Sequence, residues 1–235
     1  MLKHAARTSA SSEEFAAANE AEISNLELQV SSDDLLNWEE TARAAKEAGF
    51  RYAVKFPTSL EVPEQAVENC VKLCAVLNCD TLVIHEPMFR KFGSRIAELA
   101  PGLNLAVENN RFNKVRFDEW AGSNDKLTLD VEHFWKFTLN DAPLEVLLEE
   151  LGLFLQKYGE KLQQVHLSGY QPGQPVHRPM YCNRDMVFSV LSLLAETGFD
   201  GFIVSEVSEE YLNRRDLVMD TLLIGSWQDQ KVVEV

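Results

Sequence analysis

The stretch Thr81-Leu82-Val83-Ile84-His85-Glu86-Pro87 is an unbroken apolar run that ends abruptly in charge. A strand with one solvated face alternates apolar and polar residues. A run that is apolar throughout is buried on both faces, as the strands of a parallel sheet are. The stretch Gly201-Phe202-Ile203-Val204-Ser205-Glu206-Val207 has the same form. Strands are therefore read at Thr81–His85 and Gly201–Val207, with six further β-rich runs at Leu2–Ala6, Ile23–Val30, Arg51–Phe56, Asn104–Glu108, Lys126–Asp130 and Gln163–Leu167.

Helical patterns lie between them. Residues 33–48 follow the capping residues Ser31-Ser32-Asp33-Asp34 and stop at Gly49. Residues 63–77 begin with Pro63, suited to a first helical position. Residues 143–158 run from Pro143 to Gly159, residues 184–197 lie between Asn183 and Gly198, and a last helix over 209–226 follows Ser208. Eight strands in 235 residues leave about 29 residues per repeat, close to one βα unit. No linker, charge block or low-complexity stretch divides the chain. The expected fold is α/β: one (β/α)8 TIM barrel, with residues 1–235 as a single domain.

The charge balance excludes some functions. Against 37 Asp and Glu stand 22 Lys and Arg, a net charge of -15. Affinity for a phosphate backbone comes mainly from Lys and Arg, so no nucleic-acid partner is expected. No apolar stretch approaches the roughly 20 residues of a membrane helix. The opening Met1-Leu2-Lys3-His4-Ala5-Ala6-Arg7 lacks the apolar core of a secretory signal. The expectation is a cytoplasmic protein without a membrane partner; a homo-oligomer stays open. Cys70, Cys74, Cys79 and Cys182 form no Cys-x-x-Cys pair and read as free thiols.

In such barrels the active site lies at the C-terminal ends of the strands. Strand four ends in His85-Glu86, strand five in Glu108-Asn109-Asn110 and strand six in Asp130-Val131-Glu132-His133. Strand seven ends in His166-Leu167-Ser168 and strand eight in Glu206-Val207. A charge after a run of Val, Ile and Leu is costly unless it is paired or bound to metal. Glu108, Asp130, His166 and Glu206 together offer three carboxylates and one imidazole. That donor set suits one divalent cation, Mn²⁺, Mg²⁺, Co²⁺ or Zn²⁺, without choosing among them.

The order Val-Glu-Asn, Leu-Asp-x-x-His, Val-His-Leu and Ser-Glu resembles the xylose isomerase-like barrel superfamily. That group includes sugar isomerases and epimerases, inosose dehydratases and endonuclease IV. The resemblance implies that Glu108, Asp130, His166 and Glu206 hold the metal, that His133 and His177 face the site, and that His85 lines its wall. It further implies that Glu108 and Glu206 are the catalytic pair, moving a proton through an enediolate beside the carbonyl of a keto sugar. The implied activity is that of a metal-dependent isomerase or epimerase with a small carbohydrate substrate. The alternative on the same scaffold is a dehydratase of inosose or dehydroshikimate type.

Departures from endonuclease IV point away from a phosphoesterase. Its strand-three His is replaced by Lys55, and its Asp-x-His after strand seven by Pro175-Val176-His177, so one metal is expected rather than three. Lys55 is expected to point into the barrel mouth. Arg178, in the long Ser168–Cys182 loop, is a candidate for binding substrate, although it could simply face water. That loop has the length of a functional lid. His4 and Glu27, near the ends of strands one and two, could also line the pocket. His85 could instead be a core histidine, and His133 could cap the turn after strand six. Phe134 and Trp135 are expected to pack on the helix ring. No glycine-rich phosphate cradle is present.

Overall fold

Strand pairing runs in chain order and then closes on itself. The structure, a computed structural model, describes residues 2–233. The strands are β1 (Lys3–Thr8), β2 (Asn25–Gln29), β3 (Arg51–Lys55), β4 (Leu82–His85), β5 (Leu105–Glu108), β6 (Leu127–Asp130), β7 (Leu162–Leu167) and β8 (Phe202–Ser205). Every neighbouring pair is parallel, and β8 returns to β1, so the barrel has no free edge. The (β/α)8 barrel expected from the apolar runs is the one observed.

Ten helices surround the described barrel: α1 (Ser12–Glu20), α2 (Ser32–Leu36), α3 (Trp38–Ala48), α4 (Glu64–Leu77), α5 (Glu86–Leu99), α6 (Lys114–Ser123), α7 (Val131–His133), α8 (Leu144–Tyr158), α9 (Arg184–Glu196) and α10 (Arg214–Val233). The capping chemistry is where the sequence places it. Ser31 and Asp34 form a reciprocal capping box at the start of α2. Gly49 ends α3 at φ 78°, a conformation glycine adopts without a Cβ penalty.

Four helices escape the sequence reading, the single turn α7 and three longer ones. α1 is Ala-rich with little amphipathic contrast and buries only Phe15 and Ala18. α6 buries three side chains, Phe117, Trp120 and Ala121. α5 starts at once after His85, where Glu86-Pro87 looks like a loop; Pro87 sits at the helix start, where no N–H is needed. The last helix also begins later than expected, at Arg214, after a 3₁₀ turn over Glu209–Tyr211.

The period of two along each strand sorts side chains between the two faces of the barrel wall. The outward set, including Leu26, Leu28, Val54, Ile84, Leu129 and Val165, packs under the helices in one continuous core. The inward set holds a small separate cluster of Ala5, Ala53, Phe202 and Val204. Ala5 and Ala53 in this cluster are small and leave room on their side of the barrel for the longer polar groups above them. The registers Arg7↔Glu27, His85↔Glu108 and Asp130↔His166 then set polar side chains side by side near the C-terminal rim. Among the described residues, no helix is long and apolar enough to cross a membrane.

Candidate metal centre

Four strand ends deliver Glu108 (β5), Asp130 (β6), His166 (β7) and Glu206, one residue past β8. Each offers a ligand atom, and these atoms all lie within 4.8 Å of one another. Donors on opposite sides of one ion at about 2.4 Å would be separated by that much. None of the four residues is more than 5% exposed.

Each donor is oriented by its neighbours. Asp130 caps the turn that follows it: its Oδ1 accepts from the His133 backbone N–H at 2.8 Å. Asn109 ties β5 to β6 beyond the last ladder bond, donating to the Asp130 carbonyl at 3.0 Å and accepting from the Asp130 N–H at 2.7 Å. His133 therefore receives the cap from Asp130 instead of supplying one. His166 presents Nδ1 to Glu206 at 2.6 Å and to Glu108 at 3.2 Å, while its Nε2 lies 2.8 Å from Glu27 Oε2. A proton on Nε2 donated to Glu27 leaves the Nδ1 lone pair facing the carboxylates, the arrangement in which a second carboxylate orients a metal-binding imidazole.

Glu27 thus belongs to the site, below the rim, where Gln164 also donates to it. Arg7 ion-pairs with both Glu27 and Glu206, and sequence reasoning missed it. The expected first strand stopped at Ala6, but β1 continues to Thr8 and carries Arg7 inward. The missed signal was the alternation Lys3, Ala5, Arg7. His4 has the opposite parity: its Nε2 lies 3.2 Å from Ser205 Oγ, away from the mouth.

The electrostatics fit a divalent cation. Glu27, Glu108, Asp130 and Glu206, when ionised, meet two cationic side chains, Arg7 and protonated Lys55, and Lys55 ion-pairs with Glu108. Two negative charges remain when His166 is neutral. Glu108 Oε2, Asp130 Oδ2 and Glu206 Oε2 are buried and accept no well-aligned hydrogen bond, although they contact Lys55, His133 Nδ1 (at 3.2 Å) and His166 respectively. Buried lone pairs of this kind are costly unless they bind something. Without an ion, protons partly fill the role. Burial, Glu206 and Glu132 push the Asp130 carboxyl up to about 7. Burial would also raise Glu206, but Arg7 and His166 outweigh it and hold this carboxyl well below the usual range. Burial, with Arg7, brings Lys55 down to about 8 against the pull of Glu27 and Glu206.

Above the donors opens a cleft of about 490 Å³, lined by Arg7, Gln29, Lys55, Thr58, His85, Asn110, Arg111, His133, His177 and Glu206. The structure brings Lys55, His85, His133 and His177 to this mouth. Arg178 is not among the residues that line it; the guanidinium groups at the mouth are those of Arg7 and Arg111. His85 Nε2 lies 3.4 Å from Glu108 Oε2, and burial, with Lys55, lowers its pKa so that the ring is neutral. The rings of His133 and His177 meet edge to face at 6.1 Å. Phe134 and Trp135 are buried in the outer core, and Trp135 donates to the Ala142 carbonyl.

The long loop after β7 is pinned. Buried Glu132 accepts from Ser168 Oγ at 2.6 Å and from the His177 N–H at 2.8 Å, and the Ser208 N–H donates to the His177 carbonyl at 2.8 Å. His177 is held at φ 53°, a left-handed conformation that is uncommon for a side-chain-bearing residue.

No protein-family model matches the chain, and no curated protein matches it by sequence. Solved structures do superpose on it. A D-tagatose 3-epimerase-like protein is 17% identical with a TM-score of 0.65, covering 98% of this chain and 100% of that one. A D-allulose 3-epimerase from Methylomonas sp., in complex with D-allulose, is 15% identical at TM-score 0.62, covering 96% of each. Dihydropteroate synthase from Thermus thermophilus is 14% identical at the same TM-score of 0.62, covering 97% of this chain and 93% of that one. Likeness at this level establishes the barrel. The third structure's name shows that the barrel by itself does not choose a chemistry; that choice rests with the residues at the mouth.

Proposed function

We propose that this barrel is a divalent-metal-dependent isomerase or epimerase that moves a proton next to the carbonyl of a keto sugar. The observation that carries the reading is the convergence of Glu108, Asp130, His166 and Glu206 on one buried point under an open cleft. The 3-epimerases named among the structural neighbours support it. One divalent ion, when bound, would draw electrons from the substrate carbonyl and the adjacent hydroxyl. Glu108, Asp130, His166 and Glu206 would hold it, with Glu27 fixing the ring of His166.

The remaining work falls to the chain's own side chains. The proton on the hydroxyl-bearing carbon beside the carbonyl is taken by one of the two carboxylates, Glu108 or Glu206. Its electron pair moves toward the carbonyl oxygen. The other carboxylate, carrying a proton when the substrate binds, gives that proton to the opposite face, which inverts the carbon and leaves the two carboxylates with their protonation states exchanged. Glu206 starts ionised because Arg7 holds it so, which makes it the carboxylate that takes the proton and Glu108 the one that gives it. Lys55, beside Glu108, offsets the negative charge that grows on the substrate oxygens. His133, His177 and Arg111 hydrogen-bond the hydroxyls above.

The test is proton exchange in D2O. Protein stripped of metal and reloaded separately with Mn²⁺, Mg²⁺, Co²⁺ or Zn²⁺ is offered a panel of ketoses and followed by proton NMR. Loss of the signal next to the carbonyl, in a metal-dependent way and with an epimer or isomer as product, is the expected result. A product lighter by one water would mean a dehydratase. No exchange with any loaded form would overturn the proposal.

A further inference from the structure

The mouth does not end at the metal centre. A second cleft of about 630 Å³ lies over the C-terminal ends of β1, β2 and β3 and shares Arg7, Gln29 and Thr58 with the first. Either cleft alone is within the roughly 300–1,000 Å³ that encloses a small-molecule ligand. A single sugar on the metal centre would therefore leave the second cleft empty.

Its lining is specific in kind. Hydroxyls come from Thr8, Ser9, Ser31, Ser32, Thr58 and Ser59. Thr8 is only 1% exposed, and its Oγ1 has no hydrogen-bond partner. That oxygen is itself closed to solvent, so the hydroxyls open to a ligand are those of half-buried Ser32 and exposed Thr58 and Ser59. The charged residues on these walls are mainly acidic: Glu14, Asp34 and Glu209. Glu14 is held by Ser9 through both N–H and Oγ, and Asp34 by Ser31, so both carboxylates stay in place. The one cation, Arg7, is already engaged by Glu27 and Glu206. A phosphate or carboxylate would meet negative charge without a free cation, whereas a neutral polyhydroxylated group would meet donors and acceptors throughout.

We propose that the second cleft is a subsite for a neutral sugar unit joined to the reacting ketose, so that the substrate is a glycosylated keto sugar and neither a free nor a phosphorylated one. This rests on the keto-sugar reading above. Three probes share one ketose and differ only at O6: D-fructose, fructose 6-phosphate, and isomaltulose, which carries a glucose there. Binding to the Mn²⁺-loaded protein is measured by calorimetry, and proton exchange in D2O is measured in parallel. Isomaltulose is expected to bind at least tenfold more tightly than D-fructose, and fructose 6-phosphate no more tightly than D-fructose. Ser59 is exposed and lines only the second cleft, so Ser59→Trp should fill it, remove the advantage of isomaltulose and leave D-fructose binding unchanged.

The subsite is overturned if isomaltulose binds no better than D-fructose, if its advantage survives Ser59→Trp, or if the phosphate binds best. Tight isomaltulose binding that is sensitive to Ser59→Trp but comes without proton exchange would uphold the subsite and count against the proposed reaction instead.

Discussion

Glu27 accepts from His166 and Gln164 and pairs with Arg7 while lying wholly inside the barrel. It does not donate to the metal point itself, so its effect there is exerted through the His166 ring. Glu27→Gln is expected to weaken Mn²⁺ binding by roughly 10- to 100-fold, the usual scale for a carboxylate behind a metal-binding imidazole; calorimetric titration checks it. Lys55 has the opposite effect, because its charge competes with a cation for Glu108. Lys55→Met should tighten Mn²⁺ binding while lowering turnover, and equal or weaker metal affinity would show that the lysine supports the donors instead. Glu108→Gln and Glu206→Gln each keep a coordinating oxygen but lose the base. With metal saturating, turnover should fall by roughly 10²–10⁴, the usual contribution of a general acid or base. His166→Ala should first weaken metal binding, and excess metal should restore part of the activity.

Between elements, β8 is joined to α10 through Ser205, which donates to Asp220 Oδ2 at 2.9 Å; Asp220 Oδ1 accepts from the Tyr181 N–H at 3.1 Å. Burial drives the Asp220 carboxyl up from 3.8 to about 7 even though these bonds favour the ionised form. Between those pH values the folded chain keeps a proton that the unfolded chain has released. Stability therefore falls as pH rises through that window and levels off above it. Asp220→Asn should remove its share of the fall, leaving that of Asp130, so its melting temperature gains on the parent at pH 8 and not at pH 4. An Asn amide donating to Ser205 Oγ lets that hydroxyl turn toward His4, whose ring burial keeps neutral. The loop after β7 has its own constraint. At Gly169 a Cβ would collide with the Pro179 carbonyl oxygen. Gly169→Ala is expected to shift the segment carrying His177, raising KM more than it lowers metal affinity. Steady-state kinetics beside a metal titration would show whether it does.

For the molecule as a whole, the ion and the fold stabilise each other, since an unfolded chain does not assemble Glu108, Asp130, His166 and Glu206. At a free metal concentration 100 times the Kd, the gain is about 2.7 kcal/mol. For a chain of this size that corresponds to a melting temperature roughly 5–11 °C higher with metal than after chelation, measurable by calorimetry. An unchanged melting temperature would argue against a site built for a metal. The barrel was legible from the sequence, because the unbroken apolar runs at Thr81–His85 and Gly201–Val207 mark strands buried on both faces, and with six further β-rich runs they fit 235 residues as repeated βα units. The four donors were legible for the same reason: each is a charge that ends an apolar run. Helices α1 and α6 were not, because they bury too few side chains to leave a periodic imprint. Arg7 and the role of Glu27 in the site belong to the tertiary structure. An inward charge within a strand looks, along the chain, like any polar residue on an alternating face, and only closure of the sheet, by pairing β8 with β1, brings Arg7 against Glu206. Which charges neutralise one another, and hence the two negative charges left for a cation, is decided by contacts between residues as far apart in the chain as Arg7 and Glu206, and no local pattern of sequence carries that information.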